Sequence, residues 1–196
     1  MIGSLAELQV SYKSAGSELL ILQGKPEKAI PILATALEAT AVYWNRDVEP
    51  YSRERDTKVA EALKAKDIER STQYWDQLLH APDALKTGSG EPYKVYTPFW
   101  KKWIKQKKQA PVPTLADVTG LSPHEKALAN DAGNIDLPSA EDLGYGWENG
   151  FLLEPGEAAA LAQLEEFCDD QRAIASYDDQ RNYPANPGTS LLSAAL

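Results

Sequence analysis

Two short stretches gather groups that could hold a ligand. The first, GTSLLS, runs from Gly188 to Ser193. Gly188 permits a tight turn, and Thr189 and Ser190 follow it at the start of an apparent helix. Backbone N–H groups and hydroxyls there face outward, a geometry that accepts a phosphate or pyrophosphate. The same residues also make an ordinary helix N-cap, and the residues alone favour the cap. The second stretch, YWNRDVEPYSRERD, spans 43–56. It opens as an apolar run and becomes a dense alternation of acids and arginines. In a parallel sheet, ligands sit beyond the carboxyl ends of the strands, which is where Asn45 to Glu49 would lie. Arg53, Glu54, Arg55 and Asp56 read instead as the solvated first turn of a helix.

Other constellations have plainer readings. His80 and His124 are the only histidines. Neither has a companion at ligand spacing, so no metal site is expected and both read as structural or surface groups. Cys168 falls on the apolar side of a helix and reads as a buried thiol rather than a nucleophile. TGSGEP, from Thr87, lacks both the P-loop lysine and the dinucleotide glycine spacing, and reads as a turn. PFWKKWIKQKK, from Pro98, interleaves Trp100 and Trp103 with five lysines. Such a mixture can stack on bases and hold phosphates. The preferred reading is an amphipathic helix that docks Phe99, Trp100 and Trp103 and leaves its lysines in water. No catalytic residue is assigned.

The elements that would position these groups follow from periodicity. Leu5, Leu8 and Tyr12 share a helical face. GSELLILQG reads as a buried strand. KPEKAIPILATAL is a helix with Ile30, Leu33 and Leu37 inward and Pro26 in its first turn. TAVYWNRD is a second strand, PYSRERDTKVAEALKAK a second helix with Val59, Ala62 and Leu63 inward, and STQYWDQLLH carries a third strand. Strand and helix alternate with short connections, the pattern of a parallel sheet covered by helices. Residues 109–155 are rich in Pro, Gly, Asp and Asn and form a long connector with short helical turns. A connector of that length usually joins two domains. After Pro155, GEAAALAQLEEFCDDQRAI is a strong helix, and the chain stops in the first turn of another.

Composition bounds the function. The 196 residues are 43% hydrophobic and 25% charged, enough for a real core, and the net charge is −9. A chain this acidic is not drawn as a whole to nucleic acid or anionic lipid. One cysteine permits no intrachain disulfide and suits a reducing cytoplasm. The most apolar stretch, 29–42, is interrupted by Pro31 and Glu38, so no membrane span or membrane partner is expected. The N-terminus lacks the pattern of a signal peptide.

Several stretches together resemble one family. AVYWNRDVEPYSRERD, WDQLLHAPDALKTGSGEPYKVYTPFWKKW, LEPGEAAALAQLEEF and YDDQRNYPANPGTSLLSAAL, in that order and spacing, are similar to DNA photolyases of the photolyase/cryptochrome family. The nearest likeness is to cyanobacterial class I cyclobutane-dimer enzymes with a deazaflavin antenna. The resemblance covers nearly the whole chain. FCDDQRAIASY is a few residues longer than the family's usual run.

The resemblance implies an α/β fold with an incomplete parallel sheet covered by helices (the photolyase antenna domain), over residues 1–108. A connector, 109–155, and the first helices of an all-α flavin domain, 156–196, follow. It implies an internal fragment that lacks the N-terminal strands and most of the FAD-binding domain. The parent would be a deoxyribodipyrimidine photo-lyase, repairing cyclobutane pyrimidine dimers in damaged DNA by light and FAD, with the fragment alone inactive. Tyr177 matches the family tyrosine that contacts the flavin, and Thr189, Ser190, Leu191, Leu192 and Ser193 match the flavin diphosphate loop. Arg181 matches a DNA-facing basic residue. Glu49 and Asp47 match the rim of the antenna pocket, whose chromophore would be a deazaflavin rather than methenyltetrahydrofolate. A cytoplasmic monomer is implied for the full-length protein. A cryptochrome-type light receptor and a non-catalytic nucleotide-binding or interaction module remain as other readings.

Overall fold

A computed structural model describes residues 1–70, 75, 78–113, 118–146, 148–169, 173–185 and 190–191. In chain order the elements are α1 (Ile2–Ser14), β1 (Ile21–Leu22), α2 (Pro26–Ala36), β2 (Ala41–Val42), α3 (Pro50–Lys64), β3 (Glu69–Arg70), α4 (Tyr96–Trp103), α5 (Pro123–Asp131), β4 (Asn134–Ile135), α6 (Glu157–Cys168) and α7 (Ala173–Gln180). The chain divides into two compact units. One comprises Leu22–Leu115 and Pro123–Asn134; the other comprises Met1–Ile21, Ala116–Ser122 and Ile135–Leu196.

The first unit holds the α/β layer. β2 and β3 pair in parallel, with Ala41 opposite Glu69 and Val42 opposite Arg70. Pro26 and Pro50 occupy the first turns of α2 and α3, where a missing N–H costs nothing. The two helices pack on each other, and Ala34, Val59, Leu63 and Ile68 form the buried core. Ile30, Ala39, Val42 and Trp44 pack around it. The expected inward faces are therefore present, although Leu33, Leu37 and Ala62 are only half-buried.

Both helices reach their following strands through the same device. Glu38 and Asp67 take left-handed φ angles of 50° and 55°. Ala39 N–H then donates to Ala34 O at 2.9 Å, and Ile68 N–H to Leu63 O at 3.1 Å. These are six-to-one bonds that close a helix and turn the next apolar residue inward. Ala39 and Ile68 accordingly join the core. The third strand is described at Glu69–Arg70, directly after Ile68 and just before the expected segment, 71–80. Of that segment, residues 71–74, 76 and 77 lie outside the described residues, and Leu78 to His80 form a bend.

Downstream, α4 half-buries Phe99 and Trp103, one helical turn apart, while Trp100 stays 40% exposed. An eight-residue helix docked on the Phe99–Trp103 line leaves Trp100 to one side, so only two of the three aromatics dock. Two lysines also depart from the expected solvated face. Lys108 Nζ donates to Trp103 O at 2.6 Å and Ile104 O at 2.9 Å, and lies 4.2 Å from the Trp103 ring centroid. It thereby satisfies carbonyls at the helix C-terminus, where positive charge is favourable. Lys102 Nζ donates to Lys86 O. The expected connector contains more than short turns: α5 runs nine residues, contacts α2 and buries Ala129 fully.

The second unit is helical. α1 closes through Gly16 (φ 84°), with Ser17 N–H donating to Tyr12 O at 2.8 Å. Val118 N–H donates to Ala15 O, and a side chain on Gly120 would collide with the Gly16 carbonyl. Pro155 lies against Gly3, and the Glu7 carboxylate lies against Gly156 at the start of α6. A carboxylate at that end complements the helix dipole. No residue of α1, α6 or α7 is buried. Of the face expected on α1, Leu5 is half-buried and Leu8 and Tyr12 are exposed. Cys168 is exposed rather than a buried thiol, and Leu161 and Leu164 of the same helix are exposed with it. The strand expected in GSELLILQG is short and half-buried.

Candidate functional site

The turn after β2 answers the question raised by its mixed charges. Asp47 Oδ1 accepts from Val48 N–H at 2.6 Å and from Glu49 N–H at 3.3 Å. Its Oδ2 accepts from the hydroxyl of Ser52 at 3.1 Å. Ser52 is buried, so the carboxylate satisfies a hydroxyl that would otherwise lack water. The Glu49 N–H, the Ser52 hydroxyl, the Val48 N–H and the Arg55 charge together hold the Asp47 carboxyl below the usual carboxylate range. Hydrogen bonds to the charged form act in that direction. Asp47 thus fixes the entry to α3, while Glu49, at the N-cap position, makes no side-chain capping bond and is exposed.

The charges that follow pair among themselves. Arg55 Nε and Nη2 both donate to Asp56 Oδ1, at 2.9 and 2.7 Å. Lys58 Nζ donates to Glu54 Oε1 at 2.5 Å, one turn away. That pair lowers the carboxyl's pKa and raises the amine's. Arg53 to Asp56 are therefore helix surface, as expected. Before the turn, the Arg46 guanidinium lies 4.9 Å from the Trp75 ring centroid.

In the other unit, α6 and α7 bring Tyr177 and Arg181 together. The ring of Tyr177 meets Phe167 edge-on, with centroids 6.0 Å apart and planes at 85°. The Arg181 guanidinium lies 5.9 Å from the Tyr177 ring centroid, and its Nη2 is 3.3 Å from Asp178 Oδ1. Tyr177 remains 38% exposed, so one side of a braced ring is open. Ser190 and Leu191 are the described part of the expected diphosphate loop; Thr189, Leu192 and Ser193 lie outside the described residues. Leu191 has a left-handed φ of 55°. Such a residue helps turn successive N–H groups toward one side, as in anion-holding turns.

Three features escaped the sequence reading. Ser52 is five residues from Asp47, and only the helix start fixed by Pro50 hints at their meeting. Lys108 belongs to a run of lysines with no mark of its capping role. His80 lines an open apolar groove with Leu79, Phe99 and Trp103. Among the described residues, no group of three or more His, Cys, Asp or Glu could hold a metal ion, and no helix is long and apolar enough to cross a membrane.

Comparison with known proteins gives one consistent result. The family model for DNA photolyase matches residues 1–116. A deoxyribodipyrimidine photo-lyase of a Synechococcus strain is 55% identical over 194 residues, covering 99% of this chain and 40% of that protein. An uncharacterised 31.6 kDa protein of another Synechococcus strain is 49% identical over 196 residues, covering all of this chain and 66% of that protein. The crystal structure of a class III photolyase from Agrobacterium tumefaciens superposes over 100% of this chain and 40% of its own, with a TM-score of 0.76 at 32% identity. The chain thus spans about two-fifths of the length of the named photo-lyase it matches. Its parallel strands, covering helices and strand-end turn are those of an α/β antenna domain, and the chain belongs to the DNA photolyase family.

Proposed function

We propose that this chain forms part of a deoxyribodipyrimidine photo-lyase that repairs cyclobutane pyrimidine dimers in damaged DNA with light. The observation that carries this is the 55% identity to the Synechococcus photo-lyase along 99% of the chain. Residues 1–108 are assigned to the antenna domain, 109–155 to the connector and 156–196 to the start of the helical flavin domain. The exposed apolar residues Leu161, Leu164 and Ile174 of α6 and α7 support the last assignment, since helices of such a domain bury such residues against further helices.

FAD supplies the chemistry when bound, by giving an electron to a dimer turned out of the duplex. The residues of this chain fit that group. Tyr177 offers a braced aromatic face, and Ser190 and Leu191 offer a hydroxyl and a left-handed backbone turn suited to a diphosphate. Thr189, Leu192 and Ser193 complete the loop in this reading. Arg181 faces the DNA. Glu49 borders the antenna, a deazaflavin in preference to methenyltetrahydrofolate, while Asp47 holds that rim in place. The full-length protein is read as a cytoplasmic monomer.

The test is a chimera in which this chain replaces the matching segment of the Synechococcus enzyme. It should be purified with flavin bound, and Tyr177→Ala should weaken that binding. A folded chimera that holds no flavin would reject the assignment. Retention of flavin without dimer repair would favour the cryptochrome-type receptor.

A further inference from the structure

Six asparagines occur in the chain, at positions 45, 130, 134, 149, 182 and 186, and Asn149 alone is followed by glycine. Asn149 and Gly150 lie between β4 and α6, outside any helix or strand, and both are exposed. Neither makes a hydrogen bond among the described residues. A Cβ placed on Gly150 would meet no atom within 4 Å.

An Asn–Gly pair often serves a tight hairpin turn, in which left-handed φ angles are needed. That role does not apply here. The described non-glycine residues with left-handed φ are Glu38, Asp67 and Leu191, and Gly150 is not among the left-handed glycines. The pair is therefore held neither by a turn, nor by a partner, nor by packing. Glycine also leaves its backbone nitrogen open to attack the preceding side chain, because it has no Cβ and the widest choice of backbone angles. The other asparagines are better protected. Asn130 lies in α5 and Asn134 in β4, and Asn134 Nδ2 donates to Asn130 Oδ1 at 2.9 Å. Asn45 and Asn182 precede Arg46 and Tyr183, whose side chains crowd the nitrogen that would attack. Asn186 precedes Pro187, which has no backbone N–H.

We propose that Asn149 is a site of spontaneous modification, converting through a cyclic imide to aspartate and isoaspartate. The Gly150 N–H gives its proton to solvent base, and the nitrogen forms a bond to Asn149 Cγ. The Cγ–Nδ2 bond breaks, and Nδ2 takes a proton from solvent and leaves as ammonia. Water then opens the imide. Attack at Cγ breaks the new bond and leaves aspartate. Attack at the backbone carbonyl carbon breaks the original peptide bond and leaves isoaspartate. The step consumes one water and involves no oxidation. Either product adds a negative charge to this segment, and isoaspartate also adds a carbon to its backbone. The inference is independent of flavin binding and of DNA repair.

The test is incubation of the intact 196-residue chain in mildly alkaline buffer. Proteolysis follows, with mass spectrometry by a fragmentation method that separates isoaspartate from aspartate. Both products are expected at position 149, ahead of change at any other asparagine. Gly150→Ala should slow the reaction roughly tenfold, equivalent to about 1.4 kcal/mol on the barrier. Unfolding in urea should speed the loss at Asn130 and Asn134 and leave the loss at Asn149 little changed. An intact Asn149 while another asparagine reacts would overturn the proposal, and so would aspartate without isoaspartate. Reaction of Asn149 only once the chain is unfolded would overturn it as well, a comparison that requires no variant.

Discussion

The left-handed residues Glu38 and Asp67 set how β2 and β3 leave their helices, and replacing both with glycine should stabilise the first unit. A non-glycine residue in this region is strained by about 1–2 kcal/mol. Glycine removes that strain but raises the entropy of the unfolded chain, at a cost of about 0.4–1 kcal/mol. The net gain is about 0.5–1 kcal/mol for each of Glu38→Gly and Asp67→Gly. Both side chains are exposed, so little packing is lost. The pair together should raise the unfolding temperature by about 2–8 °C, taking about 2–4 °C per kcal/mol for a chain of this size. Alanine at the same positions removes the same side chains but keeps the strain, and should fall below glycine by about 1 kcal/mol. Urea unfolding measures the difference. Hydrogen exchange at the amides of Ala39 and Ile68, which make the closing bonds, localises it. Alanine variants as stable as the glycine variants would refute the reasoning.

Leu63 is fully buried in the core, so Leu63→Ala should cost about 2–5 kcal/mol, read as a fall in the urea midpoint. Asp47→Asn should lower stability at neutral pH, because it removes a charge that two N–H groups and a hydroxyl hold. The folded-state pKa of Asp47 is depressed, so its contribution is present above the ordinary aspartate range and is lost as pH falls through the lowered value. The gap in unfolding temperature between the native chain and Asp47→Asn should therefore shrink in strong acid. A gap that grows on acidification would contradict the assignment.

Much of the α/β unit was legible from residue types. Pro26 and Pro50 mark helix starts, and the spacings of Ile30, Val59 and Leu63 give the inward faces. The strands were harder. Among the described residues only two of each strand pair, and the third begins where the cap of α3 ends, which hydrophobic period does not reveal. The helical unit was least legible. Leu8, Tyr12, Leu161, Leu164 and Cys168 have the spacing of core positions, yet none is covered. Periodicity identifies a face that can be buried, not the partner that buries it. At the candidate site, Asp47 and Glu49 looked alike in sequence. Their difference depends on Ser52 and on two backbone N–H groups, which only folding brings to Asp47.

The proposed role in light-driven repair is tested by the chimera with the Synechococcus enzyme. The measurement is the restoration of cyclobutane thymine dimers in an oligonucleotide under blue light, with a dark control. Light-dependent repair by the chimera is expected, and none by the 196-residue chain assayed alone. A chimera that folds and binds flavin yet leaves the dimers intact in the light would contradict it, as would efficient repair by the chain alone.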